Sequence, residues 1–425
     1  MTSPAHDIGD RVLLGEDSLD ALVRLLAADH RVVGPRVGDG AIVIGDLASA
    51  ADLPRGWLDQ QEAGRYRLEP DAVAGPFDHV VGPFSLKNFL FPARETLSIL
   101  ERVDGSWVTR TPAWADRPLA VIGVRGCDLA ALAIQDRVFL GNGHVDPLYA
   151  ARRERLFLVA VDCRRPAPTC FCHSTGTGPA ACDAATGRGA DLILTDLGPG
   201  PEESAAATLG IPADAPRIYA CRIGSAAGAG VIARLLAEDP EIGAPSPEQE
   251  SLAEAIPLAT ARHLAVRDAL PTPGRRMAME GLRDLLYANL DHPRFEEVAT
   301  RCLSCTNCTL VCPTCFCASV SEVPELDAER VSRERRWESC FSLDHARMHG
   351  HSVRHSTASR YRQWLTHKLG GWIDQFGVSG CTGCGRCITW CPVGIDLTEE
   401  VAAIRSSTGD GSPVTADDAP GRDGP

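Results

Sequence analysis

The sequence predicts two unlike halves: an α/β domain over residues 1–237 and a C-terminal domain over 281–404 that winds around clustered cysteines. Three observations predict this. Short apolar runs alternate with amphipathic stretches through the first 235 or so residues. A segment rich in Pro, Gly and acid, "AEDPEIGAPSPEQE", then interrupts the pattern. Beyond it, "CLSCTNCTLVCPTCFC" (Cys302–Cys317) packs six cysteines into sixteen residues.

The N-terminal elements follow in order. "SLDALVRLLAADH" carries Leu19, Leu22, Val23, Leu25 and Leu26 on one face, as a helix packed on a sheet does. "AIVIGDL", "AVIGVRGCDL", "LFLVAVDC" and "ADLILTDLG" read as strands, and "DLAALAIQDRVFL" as a helix between two of them. Strand order does not follow from the sequence. Residues 238–280 read as a linker with a partly helical stretch, broken at "PTPGRR". "GLRDLLYANLDHPRFEEVATRC" reads as helices that deliver the chain to the first cysteine run. Residues 405–425 lack apolar periodicity and read as a disordered tail.

Composition bounds the function. The chain has 425 residues, 44% hydrophobic and 23% charged, as a folded globular protein of two or three domains has. A net charge of −14 argues against a general nucleic-acid binder, which must neutralise phosphates. The N-terminus is acidic with no apolar signal core, and no apolar run approaches a membrane span. The expectation is a cytoplasmic protein, where 17 cysteines in tight groups suggest metal rather than disulfides.

Two stretches share one spacing. Cys302, Cys305, Cys308 and Cys312 precede Pro313; Cys381, Cys384, Cys387 and Cys391 precede Pro392. This is the bacterial ferredoxin run for a 4Fe–4S cubane, in which the fourth cysteine of each run serves the other cluster. Three thiolates at two-residue gaps curl around one side of a cubane, and the fourth corner takes a ligand from elsewhere. One cluster is thus assigned Cys302, Cys305, Cys308 and Cys391, and the other Cys381, Cys384, Cys387 and Cys312. Two zinc knuckles are the competing reading, but zinc commonly takes its ligands as two pairs. The C-terminal half is therefore expected to be a helical, ferredoxin-like 4Fe–4S dicluster domain with a helical insertion at 318–380.

The insertion separates Cys312 from Cys381 by 69 residues (381 − 312). Residues 330–368 hold nine Arg or Lys against three Asp or Glu, 9 − 3 = +6. These cations form a solvated face, or offset cluster charge, or dock an acidic partner. The other cysteines are grouped too. "PTCFC" occurs as Pro168–Cys172 and again as Pro313–Cys317. Cys127, Cys163, Cys170 and Cys172 are either buried apolar thiols or a further cluster site. Cys315, Cys317 and Cys340 are a possible additional site lacking a fourth cysteine. Cys182 and Cys221 fall in no group. Gly228-x-Gly230-x-x-Ala233 is a plain helix start rather than a dinucleotide site, and "STGTGP" is a turn. The pairs His345/His349 and His351/His355 read as a surface helix. No nucleophilic triad is evident.

Taken together, "SLKNFLFPARETL", "GVRGCDLAAL", "DRVFL", "DPLYAARRE", "CFCHSTGTGP", "ADLILTDLG", "RRWESCF" and the two cysteine runs resemble a known family. It comprises the beta (iron–sulfur) subunits of soluble NADP-linked nickel–iron hydrogenases, or sulfhydrogenases, and a close relative, the A-type component of anaerobic sulfite reductase. The resemblance runs from about residue 80 to 400. It implies an electron-transfer subunit with a flavin/NAD(P)-binding reductase subunit on one side and nickel–iron hydrogenase small and large subunits, or a sulfite-reducing subunit, on the other. It carries the cluster ligands onto the eight motif cysteines and gives Arg125 and Asp128 no catalytic task. A self-contained reductase binding its own flavin, and a zinc-rich scaffold, are the alternatives from other classes.

Overall fold

The structure is a computed structural model that describes residues 7–112, 117–141, 143–181, 189–239, 242–266, 275–326 and 329–407. Strand β1 (Arg11–Leu14) precedes a helix (Glu16–Asp29) and the hairpin β2–β3 (Arg31–Gly38, Ala41–Asp46). Two further hairpins, β4–β5 (Trp57–Glu62, Arg65–Pro70) and β6–β7 (Arg94–Val103, Ser106–Arg110), come before β8 (Leu119–Val124). Then follow β9 (Leu156–Val161), β10 (Leu192–Asp196) and β11 (Tyr219–Ile223).

Seven of these strands form one sheet in the order β1-β11-β10-β9-β8-β2-β3. Its centre, β2-β8-β9-β10, is parallel, and β1, β11 and β3 add antiparallel edges. The α/β expectation holds for this region. The helix Glu16–Asp29 buries Leu19, Leu22, Val23 and Leu26 against Val12, Ala120 and Val159. Each such aliphatic side chain contributes about 1.5–3 kcal/mol when taken out of water. Helices Gly126–Phe139 and Ala226–Glu238 cover the sheet where the apolar periodicity placed them. Ser225 Oγ caps the second by accepting from Gly228 N at 3.1 Å, so the glycine-rich stretch starts a helix as expected.

The structure differs from the sequence reading in four places. Residues 247–266 form one continuous helix, longer than the partly helical stretch expected within 238–280, while the expected break at "PTPGRR" lies largely outside the described residues. The insertion begins as β-structure: β12 (Ala318–Pro324) and β13 (Arg330–Trp337) pair with each other, and β13 pairs with β6. The sheet β12-β13-β6-β7 thus stitches the insertion to the N-terminal half. Charged side chains alternate along β13, which looks like a solvated helix in sequence. They are satisfied across the ladder instead, as in Arg333–Glu322 at 2.8 Å and Arg94–Glu334 at 2.7 Å. Only the second part is helical, with Thr357–Thr366, a π-turn at His367–Gly371 and Trp372–Phe376. Third, the histidine segment is not a helix: β14 (Arg347–Met348) and β15 (His351–Ser352) form a small hairpin through it. Fourth, Arg405 to Ser407 end the helix Leu397–Ser407; the remainder of the expected disordered tail, 408–425, lies outside the described residues.

The C-terminal core gathers Leu286, Phe295, Val298, Phe341, Tyr361, Trp364, Leu365 and Ile388 beside the motif cysteines. Among the described residues no helix is long and apolar enough to cross a membrane.

Candidate metal centre

Both ferredoxin runs fold alike. Each loop needs left-handed backbone at the same two motif positions: Ser304 (φ 50°) and Thr306 (φ 71°) in the first, Gly383 (φ 60°) and Gly385 (φ 77°) in the second. In each, the amide two residues after the first cysteine donates toward that sulfur, Ser304 N to Cys302 Sγ at 3.5 Å and Gly383 N to Cys381 Sγ at 3.4 Å. Each loop then enters one helical turn, Asn307–Leu310 or Arg386–Thr389, that carries the third cysteine. The curl predicted from spacing is therefore present twice.

The third cysteine of each run lies among sulfurs of both runs. Burial pushes Cys308 well above the ordinary thiol range, and the nearby sulfurs Cys340, Cys391, Cys302 and Cys305 add to this in that order. Cys387 is raised by burial and then by Cys381, Cys312 and Cys384. Cys302, Cys305, Cys308 and Cys391 line one cavity of roughly 430 Å3 of empty space, with Phe341, Tyr361 and Trp364 in its wall. Tyr361 Oη and Trp364 Nε1 are buried there with no hydrogen-bond partner. Unpartnered donors beside four thiols are what a sulfide-bearing cubane would satisfy. Among the described residues no three His, Cys, Asp or Glu converge as a single metal ion requires. A cubane asks for something else: each thiolate reaches its own iron corner, so the sulfurs line a cavity rather than meet at a point. The donor set fits 4Fe–4S clusters, which supply one-electron redox capacity.

Cys387 lines this first cavity as well, although its sulfur neighbours belong to the second set. The two sites are thus adjacent through one residue.

Two buried lysines flank the second set. Lys368 Nζ reaches Cys312 Sγ at 3.2 Å, Thr314 Oγ1 at 3.2 Å and Cys315 Sγ at 3.5 Å. Burial alone would lower its pKa, but Cys312 and Cys315 hold it well above the ordinary value. Cys312 is depressed by the hydrogen bond from Cys315 and by Lys368. Lys87 sits over the Trp337 ring, 3.9 Å from its centre, and donates to Thr309 O and Leu310 O at 3.2 and 2.9 Å. Burial lowers its pKa to about 8. Sequence reasoning missed Lys87 as a site residue and held Lys368 only as one of the nine cations of 330–368. Lys87 stands in the quoted "SLKNFLFPARETL", but nothing local ties it to a cysteine more than 200 positions away.

Most other insertion cations pair with carboxylates: Arg335 with Glu95 at 2.6 Å, Arg336 with Glu334 at 2.8 Å, Arg362 with Asp291 at 3.0 Å. Arg360 approaches the first loop, donating to Ser304 Oγ at 3.3 Å. The charge excess is thus mainly structural, with Lys368 and Arg360 the members that reach the cysteine loops.

The additional cysteines divide. Cys127, Cys163, Cys170 and Cys172 come together on one cavity, joined there by Cys384. Cys315, Cys317 and Cys340 lie around Lys368; the structure adds Cys312 and Cys381 beside that lysine and sets Cys308 next to Cys340, all three of them residues the crossed assignment already uses. Cys221 is fully buried in the sheet core, its thiol pushed up to about 12 by burial alone, as an inert core thiol is. Cys182 lies outside the described residues.

A doubled four-thiolate run on a pair of matching loops defines an iron–sulfur electron-transfer protein of the dicluster ferredoxin type. Residues 301–395 match the family model of the 4Fe–4S dicluster domain. Over 291 residues the chain is 30% identical to sulfhydrogenase 2 subunit beta of Pyrococcus furiosus, a match covering 68% of this chain and 75% of that relative. The chain belongs to the family of sulfhydrogenase beta subunits, and it is an iron–sulfur electron-transfer subunit.

Proposed function

We propose that the chain is the wire of a cytoplasmic sulfhydrogenase-type complex. It relays electrons from a flavin/NAD(P)-binding reductase subunit to nickel–iron hydrogenase small and large subunits, or in the reverse direction. Cys302, Cys305, Cys308 and Cys391 hold one cubane, and Cys381, Cys384, Cys387 and Cys312 hold the other. The observation that carries this reading is the double position of Cys387, whose sulfur neighbours are Cys381, Cys312 and Cys384 while it lines the cavity of the first set. Cys305 is exposed whereas Cys312 and Cys391 are buried. The first site therefore has an edge a partner can reach, and the second is reached through it. Lys368 holds positive charge beside Cys312, which favours the reduced, more negative state of a thiolate-ligated cluster.

The test is Cys305→Ser in the assembled complex. Hydrogen-dependent NAD(P) reduction is expected to fall to background, while each partner keeps its own activity with artificial dyes. Iron per chain is expected to drop by up to about four. Normal coupled turnover in this variant refutes the assignment.

A further inference from the structure

We propose that Cys127, Cys163, Cys170 and Cys172 bind a third 4Fe–4S cluster, seated between the large sheet and the second ferredoxin loop. The proposal rests on the two-cluster reading above for its neighbour, Cys384.

Topology first brings the ligands together. β8 and β9 are adjacent parallel strands. Cys127 lies in the first turn of the helix after β8, and Cys163 lies two residues beyond the end of β9. The C-terminal ends of parallel strands are where open α/β sheets hold ligands. The loop after Cys163 folds back and adds Cys170 and Cys172. A bulge at Gly123 (φ 84°) breaks the β8–β9 register just before this edge and re-aims the chain.

The pocket these four line matches the one at the first motif site in size, roughly 400 against 430 Å3 with the opening to solvent counted in both. Inert core thiols would be packed against, as Cys221 is. Here Cys127, Cys170 and Cys172 are each only 8% exposed, and with Cys163 they line one shared pocket walled by Val80, Val81 and Leu264. Five sulfurs line it. With Cys384 assigned to the second cubane, four remain, one for each iron.

A second observation is independent of the sulfurs. Arg125 lines the same cavity and is 3% exposed. Its Nη2 donates to Phe77 O at 2.6 Å and His79 O at 3.0 Å, but its Nε has no acceptor. A buried guanidinium N–H without a partner is costly. A cluster sulfide or thiolate would take it, and the guanidinium charge would offset the negative cluster.

The site also touches the second ferredoxin loop directly. Phe171 N donates to Gly383 O at 2.8 Å, Thr177 Oγ1 donates to Thr382 O at 2.6 Å, and Cys170 Sγ lies 4.0 Å from Cys384 O. Cys384 thus faces this site as Cys387 faces the first, which makes the second cubane the middle of three.

The test is iron and acid-labile sulfide analysis of the full chain, purified and reconstituted anaerobically. Three clusters give about twelve irons and twelve sulfides per chain; two give about eight. Twelve is expected, falling to about eight in a Cys170→Ser/Cys172→Ser variant and unchanged in Cys221→Ala. Eight in the unmodified chain, or one zinc in place of the third set, overturns the proposal and leaves the dicluster reading intact. Undiminished iron in Cys305→Ser instead overturns the dicluster reading itself. Should the double variant not fold, Cys163→Ser, at a half-buried position, is followed by electron paramagnetic resonance after dithionite reduction. A changed or lost third signal supports the site, and a spectrum identical to that of the unmodified chain overturns it.

Discussion

The two ferredoxin loops share a backbone and differ in what covers them. At the two left-handed positions the first loop carries Ser304 and Thr306, and the second carries Gly383 and Gly385. Non-glycine residues bear a strain of about 1–2 kcal/mol in this conformation, so it is tolerable but unfavourable. Space decides the difference. A Cβ on Gly383 would lie 2.6 Å from Cys172 N, and one on Gly385 would lie 2.6 Å from Thr169 O. The first loop has room: Leu303 is 65% exposed and Cys305 is exposed. The second is clasped by both copies of "PTCFC". Thr169 Oγ1 meets Thr389 Oγ1 at 3.0 Å, and Thr314 Oγ1 donates to Gly380 O at 2.7 Å. One repeat thus faces outward, and the other is built into the interior.

That contrast can be broken in graded ways. The largest effect is expected from Asp128→Ala. Arg386, 1% exposed, makes two hydrogen bonds to Asp128 at 2.7 and 3.0 Å and fixes the second loop to the α/β region. Removing one partner of such a buried pair costs about 3–5 kcal/mol. A large drop in unfolding midpoint by denaturant titration is expected, and a shift under about 1 kcal/mol, the range of an exposed pair, would mean the clasp lies elsewhere.

Next comes a paired substitution at equivalent positions. Gly385→Ala adds left-handed strain and a backbone clash, and is expected to destabilise by about 2–4 kcal/mol. Ser304→Gly, at the less covered loop, is expected to shift stability by no more than about 1 kcal/mol, strain relief being set against added unfolded-state entropy and the lost bond from Arg360. Thermal melts of the two variants compared side by side would show equal effects if the loops were equally covered.

The smallest effect is on potential rather than folding. Lys368→Met removes a charged hydrogen bond to Cys312. Such bonds are worth about 1.5–3 kcal/mol, or roughly 60–130 mV for one electron. A redox titration followed by paramagnetic resonance should show one centre shifted to more negative potential and the first-site signal unmoved.

How much could be read in advance depended on range along the chain. The helix Glu16–Asp29 and strands β8 to β10 were legible, because their apolar periodicity is written within a dozen residues. The β12–β13 pair was not: its partner β6 lies more than 200 residues away, and charges on both faces of β13 mimic a solvated helix. Within the site, the ferredoxin runs were legible as local spacing, and the four N-terminal cysteines were legible only as a group. Lys87 carried no local signal, and Lys368 only that of one cation among nine in the basic insertion.

The sequence by itself determined that this chain makes two matching three-cysteine loops, because each curl is closed by residues six positions apart and needs no distant segment. Tertiary structure alone decided which loop is exposed and which is enclosed, where the buried lysines stand, and that Cys384 and Cys387 face different neighbours. Those depend on contacts between segments some fifty to more than two hundred residues apart, which spacing along a chain cannot encode.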